Sequence, residues 1–142
     1  MTSENIGTAL AFVQAAHRGD LEETSRYIGD GYVWIDHILG LTAQTGAALQ
    51  EAVDDFAAWS DWDLQIDKVM ETTEGTVIAQ FVATGTHTGT WHGIPPTGRR
   101  AVFSVCDFLG FDSQGRIISE EAYGDRLTIM EQLGVVELPD HP

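Results

Sequence analysis

Cysteine is nearly absent: the 142-residue chain has one, Cys106. An internal disulfide and any cysteine-based zinc cluster are thereby excluded. Basic residues are scarce as well, with 7 Lys and Arg against 22 Asp and Glu, a formal net charge of −15. So negative a surface repels phosphate backbones and anionic headgroups, which argues against nucleic acid or a membrane as partner. No apolar run approaches the roughly 20 residues a membrane span needs. The stretch Met1-Thr2-Ser3-Glu4-Asn5 lacks the basic flank and apolar core of a signal peptide, so a soluble protein of a reducing cytoplasm is expected. Repeats, low-complexity tracts and linker-like segments are missing too, and residues 1–142 read as one domain. What is present is 43% hydrophobic and 20% charged, the composition of a globular chain. A domain of this length buries roughly 70% of its unfolded surface.

The hydrophobic period changes along the chain from helical to extended. Ile6, Ala9, Leu10, Val13 and Ala16 fall on one face of a helix over 4–18, ended by Gly19. Asp20 caps a short helix over 21–28, with Glu23 in the capping-box position. Gly29-Asp30-Gly31 reads as a turn, and Tyr32 to His37, rich in β-branched and aromatic residues, as a strand. A helix over 45–59 presents Leu49, Ala52, Val53, Phe56 and Ala57. Strands then follow over 62–73, 76–88, 100–111 and 116–123, with a Gly/Pro-rich loop over 89–98. Asp125 caps a closing helix that stops at Gly134. Helices followed by antiparallel strands indicate an α+β domain in which a curved sheet wraps around its N-terminal helices. The hollow of such a cone is a natural ligand site.

Three runs carry a family resemblance: Gly85-Thr86-His87-Thr88-Gly89, Gly93-Ile94-Pro95-Pro96-Thr97-Gly98-Arg99 and Gly115-Arg116-Ile117-Ile118. With the ending Asp125-Arg126-Leu127 and Gln132-Leu133-Gly134, they resemble the SnoaL-like polyketide cyclases of the nuclear transport factor 2-like, or cystatin-like, superfold. The similarity spans nearly the whole chain. It implies a cone-shaped, mostly antiparallel sheet, a homodimer, a cytoplasmic location and no metal or organic cofactor. A more distant likeness to limonene-epoxide hydrolases shares the element order and the Pro-Thr-Gly turn. The superfold hosts isomerases, dehydratases, hydrolases and binding modules, so the chemistry has to come from the site.

Strand alternation sorts the polar residues. Ala101, Phe103, Val105, Asp107, Leu109 and Phe111 share a face, and a carboxylate in so apolar a row is desolvated and raised in pKa unless paired. Asp107 is therefore the leading functional residue; the alternative is an Asp satisfied by local backbone. Phe81, Ala83, Gly85 and His87 form a second inward row, in which Ala83 and Gly85 leave room for a ligand. His87 serves there as a proton carrier near the mouth, or as an anchor for the Pro-Pro loop. Trp34 and Asp36 share a face with Tyr32, and the resemblance places both in the pocket wall. Trp34 offers a flat surface to a polycyclic ligand or packs in the core, and Asp36 holds a hydroxyl or caps the turn before Gly40. Trp91 either closes over a ligand or covers the sheet edge. Trp59 and Trp62 either border the pocket or end the third helix against the core.

The family pattern also implies an acid just before the closing helix, and counting back from Asp125 puts Ala122 in its place. Glu120 shares Ala122's face and enters the pocket one layer away, or else lies at an exposed strand end. In the limonene-epoxide hydrolase pattern, the Arg and Asp of the long strand fall on Phe81 and Ala83. The expected activity is a cofactor-free cyclisation of a hydrophobic, polyketide-like intermediate. Asp107 and Glu120 would act as acid and base, with His87 as proton partner. Trp34, Asp36, Phe81, Trp91, Phe103, Val105 and Ala122 would line the pocket. Epoxide opening and a non-catalytic binding module are the alternatives. The opposite row, Val102, Ser104, Cys106 and Phe108, has no helix to cover it and is expected to meet a second copy.

Overall fold

A computed structural model describes residues 3–140. Four helices and six strands follow one another as α1 (Glu4–His17), α2 (Leu21–Ser25), β1 (Ile28–Asp36), β2 (Leu41–Gln44), α3 (Thr45–Ala57), β3 (Trp59–Glu71), β4 (Val77–His87), β5 (Arg100–Phe111), β6 (Ile117–Tyr123) and α4 (Arg126–Gln132). The strands form one open sheet in the order β2-β1-β6-β5-β4-β3. Pairing is antiparallel except between β1 and β6. This is the expected α+β architecture, with the N-terminal helices laid over one face of the sheet.

Local chemistry sets the helix ends. The Ser3 hydroxyl accepts from the Ile6 N–H at 3.0 Å, the Asp20 carboxylate from the Glu23 N–H at 3.0 Å and the Asp125 carboxylate from the Thr128 N–H at 3.1 Å. Gly19 and Gly134 follow α1 and α4 at φ +72° and +76°, a left-handed conformation that favours glycine. The core forms where Ala9, Phe12 and Val13 of α1 meet Tyr32, Trp34, Val77, Phe81, Leu109 and Ile117 of the sheet. Full burial of a side chain such as Phe81 contributes about 1.5–3 kcal/mol. A second cluster at the other end joins Trp59, Trp91 and Phe103 to Ile129 and Leu133.

The structure departs from the sequence reading in four places. Gly29-Asp30-Gly31 is no turn between elements; it lies inside β1 as an irregularity, the register against β6 shifting between Ile28 and Val33 with Gly31 at φ +79°. α2 accordingly ends at Ser25, three residues short of the expected end. β2, a four-residue edge strand beside β1, falls in a stretch that periodicity left unassigned. α3 stops at Ala57 and Trp59 already belongs to β3, because Ala58 carries the chain into the sheet. Ala57 faces solvent, and the side chains of Ala52 and Val53, expected on the buried face of α3, lie outside the described residues.

Candidate functional site

The concave face of the sheet, α1, α3 and the 89–98 loop border a hollow that opens to solvent, with about 630 Å³ of empty space, the open mouth included. Trp34, Trp59, Trp62, Phe81, Trp91 and Phe103 make its wall predominantly aromatic. Strand register explains why both Trp59 and Trp62 reach it. Simple alternation would send residues three apart to opposite faces. Between Ser60 and Asp63, however, the pairing with β4 slips, and Asp61 takes φ +52°. This bulge turns Trp62 back to the side of Trp59. Gly85 lies opposite the bulge, and a Cβ there would stand 2.7 Å from Trp62 Cε3. The space beside Gly85 is thus filled by tryptophan and not left for a ligand, as the sequence reading expected. Ala83 does line the hollow.

The polar groups come from the central strands. Ala122 of β6 pairs with Asp36 on one side and Asp107 on the other. The position at which the resemblance implies an acid is therefore flanked by two carboxylates on neighbouring strands. Glu120 stands one inward step along β6, opposite Trp34. Asp36 and Asp107 are 3% and 4% exposed. Asp36 is partly satisfied, accepting from the N–H groups of Ile38 at 2.8 Å and Leu39 at 3.3 Å. It both caps that turn and lines the hollow. Asp107 Oδ1 and Glu120 Oε2 are buried without a hydrogen-bond partner, as is the indole Nε1 of Trp34.

Those environments shift the acids in one direction. Burial raises Asp36, though its two backbone donors oppose the shift. Burial, then the charges of Glu120 and Asp36, hold Asp107 well above the usual carboxylate range. Burial, then Asp36, push Glu120 up to about 7, against a hydrogen bond from the Tyr32 hydroxyl that favours the ionised form. Burial in turn drives the Tyr32 phenol upward, so it remains a donor.

Of the sequence-predicted residues, Trp34, Asp36, Phe81, Trp91, Phe103, Val105, Asp107, Glu120 and Ala122 line the hollow. His87 does not, and the sequence expectation is corrected there. Its ring is fully buried behind Trp59, with centroids 5.0 Å apart. Its Nδ1 accepts from the Thr97 N–H at 3.2 Å and lies 3.1 Å from the Thr97 hydroxyl. The His87 backbone clasps the same loop through Arg99 and Gly98, each bond 2.8 Å. This is the loop-anchor reading of His87, and burial holds its pKa down.

The imidazole in the hollow is His17, the last residue of α1, which the sequence reading passed over. The Trp62 indole N–H donates to His17 Nδ1 at 2.9 Å. Phe56 and Phe81 flank the ring at centroid distances of 4.6 and 5.0 Å. Burial lowers its pKa to about 4. Its position one step beyond Val13 and Ala16 on the buried face was a readable signal. At the mouth, His92 of the loop bonds Asp55 of α3, which raises the His92 pKa. Among the described residues, no three His, Cys, Asp or Glu side chains converge as ligands to one metal ion would.

The SnoaL-like polyketide cyclase family model matches residues 7–133. No curated protein matches the sequence. Among solved structures, a provisionally assigned SnoaL-like polyketide cyclase from Jannaschia sp. CCS1 superposes with a TM-score of 0.84 at 17% identity, over 94% of each chain. IdmH from Streptomyces antibioticus, a provisionally assigned polyketide cyclase, gives a TM-score of 0.78 at 24% identity, covering 94% of this chain and 100% of its own. AclR from Streptomyces galilaeus, a provisionally assigned hydroxylase, gives 0.80 at 22%, covering 98% and 89%. At these identities the structural likeness establishes the nuclear transport factor 2-like fold.

Proposed function

Given that the chain belongs to the SnoaL-like polyketide cyclase family, we propose that it closes a ring in a hydrophobic, polyketide-like intermediate by acid/base chemistry, using only its own side chains. The observation that carries this reading is the pair Asp107 and Glu120. Both present a buried, unpartnered carboxyl oxygen to an aromatic hollow.

Asp107 and Glu120 lie on adjoining strands, burial raises both and the charge of Glu120 raises Asp107 further, so they titrate as a set in which one member carries a proton while the other is ionised. The ionised member takes a proton from the carbon beside a substrate carbonyl, and the bond's electrons pass to the carbonyl oxygen as an enolate. The enolate carbon then attacks a second carbonyl, forming the ring bond and an alkoxide. The protonated member gives its proton to that alkoxide, and the aromatic walls hold the folded chain while excluding water. Charge is balanced throughout, and no external oxidant or reductant is consumed. Ala122, where the resemblance implies an acid, places only a methyl between Asp36 and Asp107 on the middle strand. Those two acids flank the gap from the adjoining strands. His87 takes no part in the chemistry.

The same pair would serve an epoxide-opening closure, one carboxylate activating a hydroxyl and the other protonating the epoxide oxygen. Phe81 and Ala83, at the positions of the hydrolase Arg and Asp, weigh against the hydrolytic version. The proposal extends to a homodimer: Val102, Phe108 and Tyr123 are 46%, 37% and 44% exposed on the outer face of the sheet, an apolar area suited to a second copy. The net charge of −15 disfavours nucleic acid and anionic membranes as partners, and a cytoplasmic location is proposed with it. In the described residues no helix is long and apolar enough to cross a membrane.

The test is deuterium uptake from D2O at the activated methylene of an aryl β-diketone. Exchange above the buffer rate that is slowed about 10²–10⁴-fold by Asp107→Asn supports acid/base catalysis. Tight binding of the diketone without exchange would reduce the protein to a binding module.

A further inference from the structure

We infer that His17 is the oxygen-binding residue of the site: a neutral imidazole locked in one tautomer by Trp62, donating from Nε2–H to the substrate oxygen on which charge develops. The inference rests on the proposed reading of Asp107 and Glu120 as the proton-moving pair, and it assigns the complementary role.

The tautomer follows from hydrogen-bond chemistry. An indole nitrogen donates and cannot accept. The Trp62 contact at 2.9 Å therefore makes His17 Nδ1 an acceptor, and the proton of the neutral ring must be on Nε2. Protonating Nδ1 would set two N–H groups against each other, so the clamp opposes formation of imidazolium as well as the other tautomer. The ring cannot rotate freely to escape. Phe56 and Phe81 flank it, and it lies within 20° of the Trp62 plane. Gly85 gives Trp62 the room to hold this position.

His17 Nε2 has no protein partner among the described residues, and the ring lines both the main hollow and the smaller cavity beside it. Asp107 and Glu120 also line both. Donor and acids thus line the same two cavities, and so their junction, from opposite layers of the fold: the donor from α1, the acids from the sheet. A substrate spanning the junction would place its carbonyl toward His17 while its acidic carbon faces the carboxyls. A neutral imidazole N–H is a weak acid, suited to stabilising an enolate without surrendering its proton, a pattern known from isomerases that enolise ketones. The occupant selected is therefore a ketone or phenol with a flat apolar body and an oxygen at the α1 end.

The test uses 15N-histidine-labelled protein and 2-naphthol as an enolate mimic, with no turnover required. Nitrogen spectra should show His17 in the Nε2–H form, unchanged between pH 8 and pH 5.5, and 2-naphthol should move the Nε2–H resonance downfield. In diketone exchange, His17→Phe should cost about 100-fold in rate. His17→Gln, which restores an N–H donor, should recover most of that loss. Trp62→Phe should release the tautomer and let His17 titrate nearer its ordinary range. An Nδ1–H tautomer, protonation above pH 6 in the parent, or equal rates for the Phe and Gln variants would overturn the inference. If the parent shows the tautomer and the 2-naphthol shift but no exchange, the donor assignment stands and the cyclase reading fails.

Discussion

His17 and His87 make an instructive pair. Both rings are largely enclosed, both accept a hydrogen bond at Nδ1 and both are held neutral by burial. They differ in what surrounds the other side of the ring. His87 is sealed by Trp59 and the 89–98 loop, and its hydrogen bond ties two pieces of backbone together. His17 opens onto the cavity, and its hydrogen bond comes from a side chain that is itself part of the wall. The same chemical group is a rivet in one place and a site residue in the other. Residue type and strand face cannot separate them; the partner at Nδ1 and the space at Nε2 do.

The acids of the sheet sharpen the contrast, because they should dominate activity and subtract from stability. Asp107→Asn should lower diketone exchange by about 10²–10⁴-fold while leaving the fold intact or more stable, since it removes a buried ionisable group. Rates measured beside thermal melts test both halves. Glu120 supplies a pH signature. Its folded pKa, about 7, lies above its ordinary 4.5, so between these values the folded chain binds more protons than the unfolded one. Stability should then fall as pH rises from 4.5 to 7, by on the order of 3 kcal/mol, and level off above. Denaturant titrations of the parent and of Glu120→Gln across that range should show the fall in the first and a flatter profile in the second.

The histidine comparison can be broken directly. His87→Phe leaves the part-buried Thr97 N–H without its partner and disturbs the packing behind Trp59, and should cost about 1–3 kcal/mol of stability, with little change in exchange rate per folded molecule. His17→Phe should show the reverse balance, losing rate more than stability. Gly85→Ala should fall between them: a methyl 2.7 Å from Trp62 Cε3 forces the indole aside, costing about 1–3 kcal/mol and loosening the His17 tautomer. The smallest effect belongs to the mouth. Asp55→Asn should cost less than about 1 kcal/mol, since the His92 contact is partly solvated. Because Asp55 raises the His92 pKa, that contribution is present below pH 6.5 and fades as pH climbs through the raised value.

Much of this architecture was legible in the residues, and the failures share a cause. Asp107 was readable because one acid interrupts an apolar row, and Trp34 and Asp36 because alternation runs undisturbed from Tyr32 to Asp36. Family spacing located Ala122, but only strand register reveals that Asp36 and Asp107 flank it. Trp62 was ambiguous because a bulge reverses side-chain parity, and nothing local in Ser60-Asp61 announces the slip. His87 was misplaced because alternation gives a face but not a depth: the inward side of β4 passes from cavity to packed core at Gly85. His17 was missed because its neighbours on α1 read as ordinary core, and its partner lies 45 residues away.

The central claim is that the carboxyls facing the hollow hold protons at pH values where ordinary acids have lost them. Carbon-13 spectra of Asp- and Glu-labelled protein measure this residue by residue, with Asp107→Asn and Glu120→Gln giving the assignments. Glu120 should be mostly protonated at pH 6, and the Asp107 midpoint should lie well above the ordinary carboxylate range. Both carboxyls fully ionised at that pH, with midpoints near 4, would contradict it.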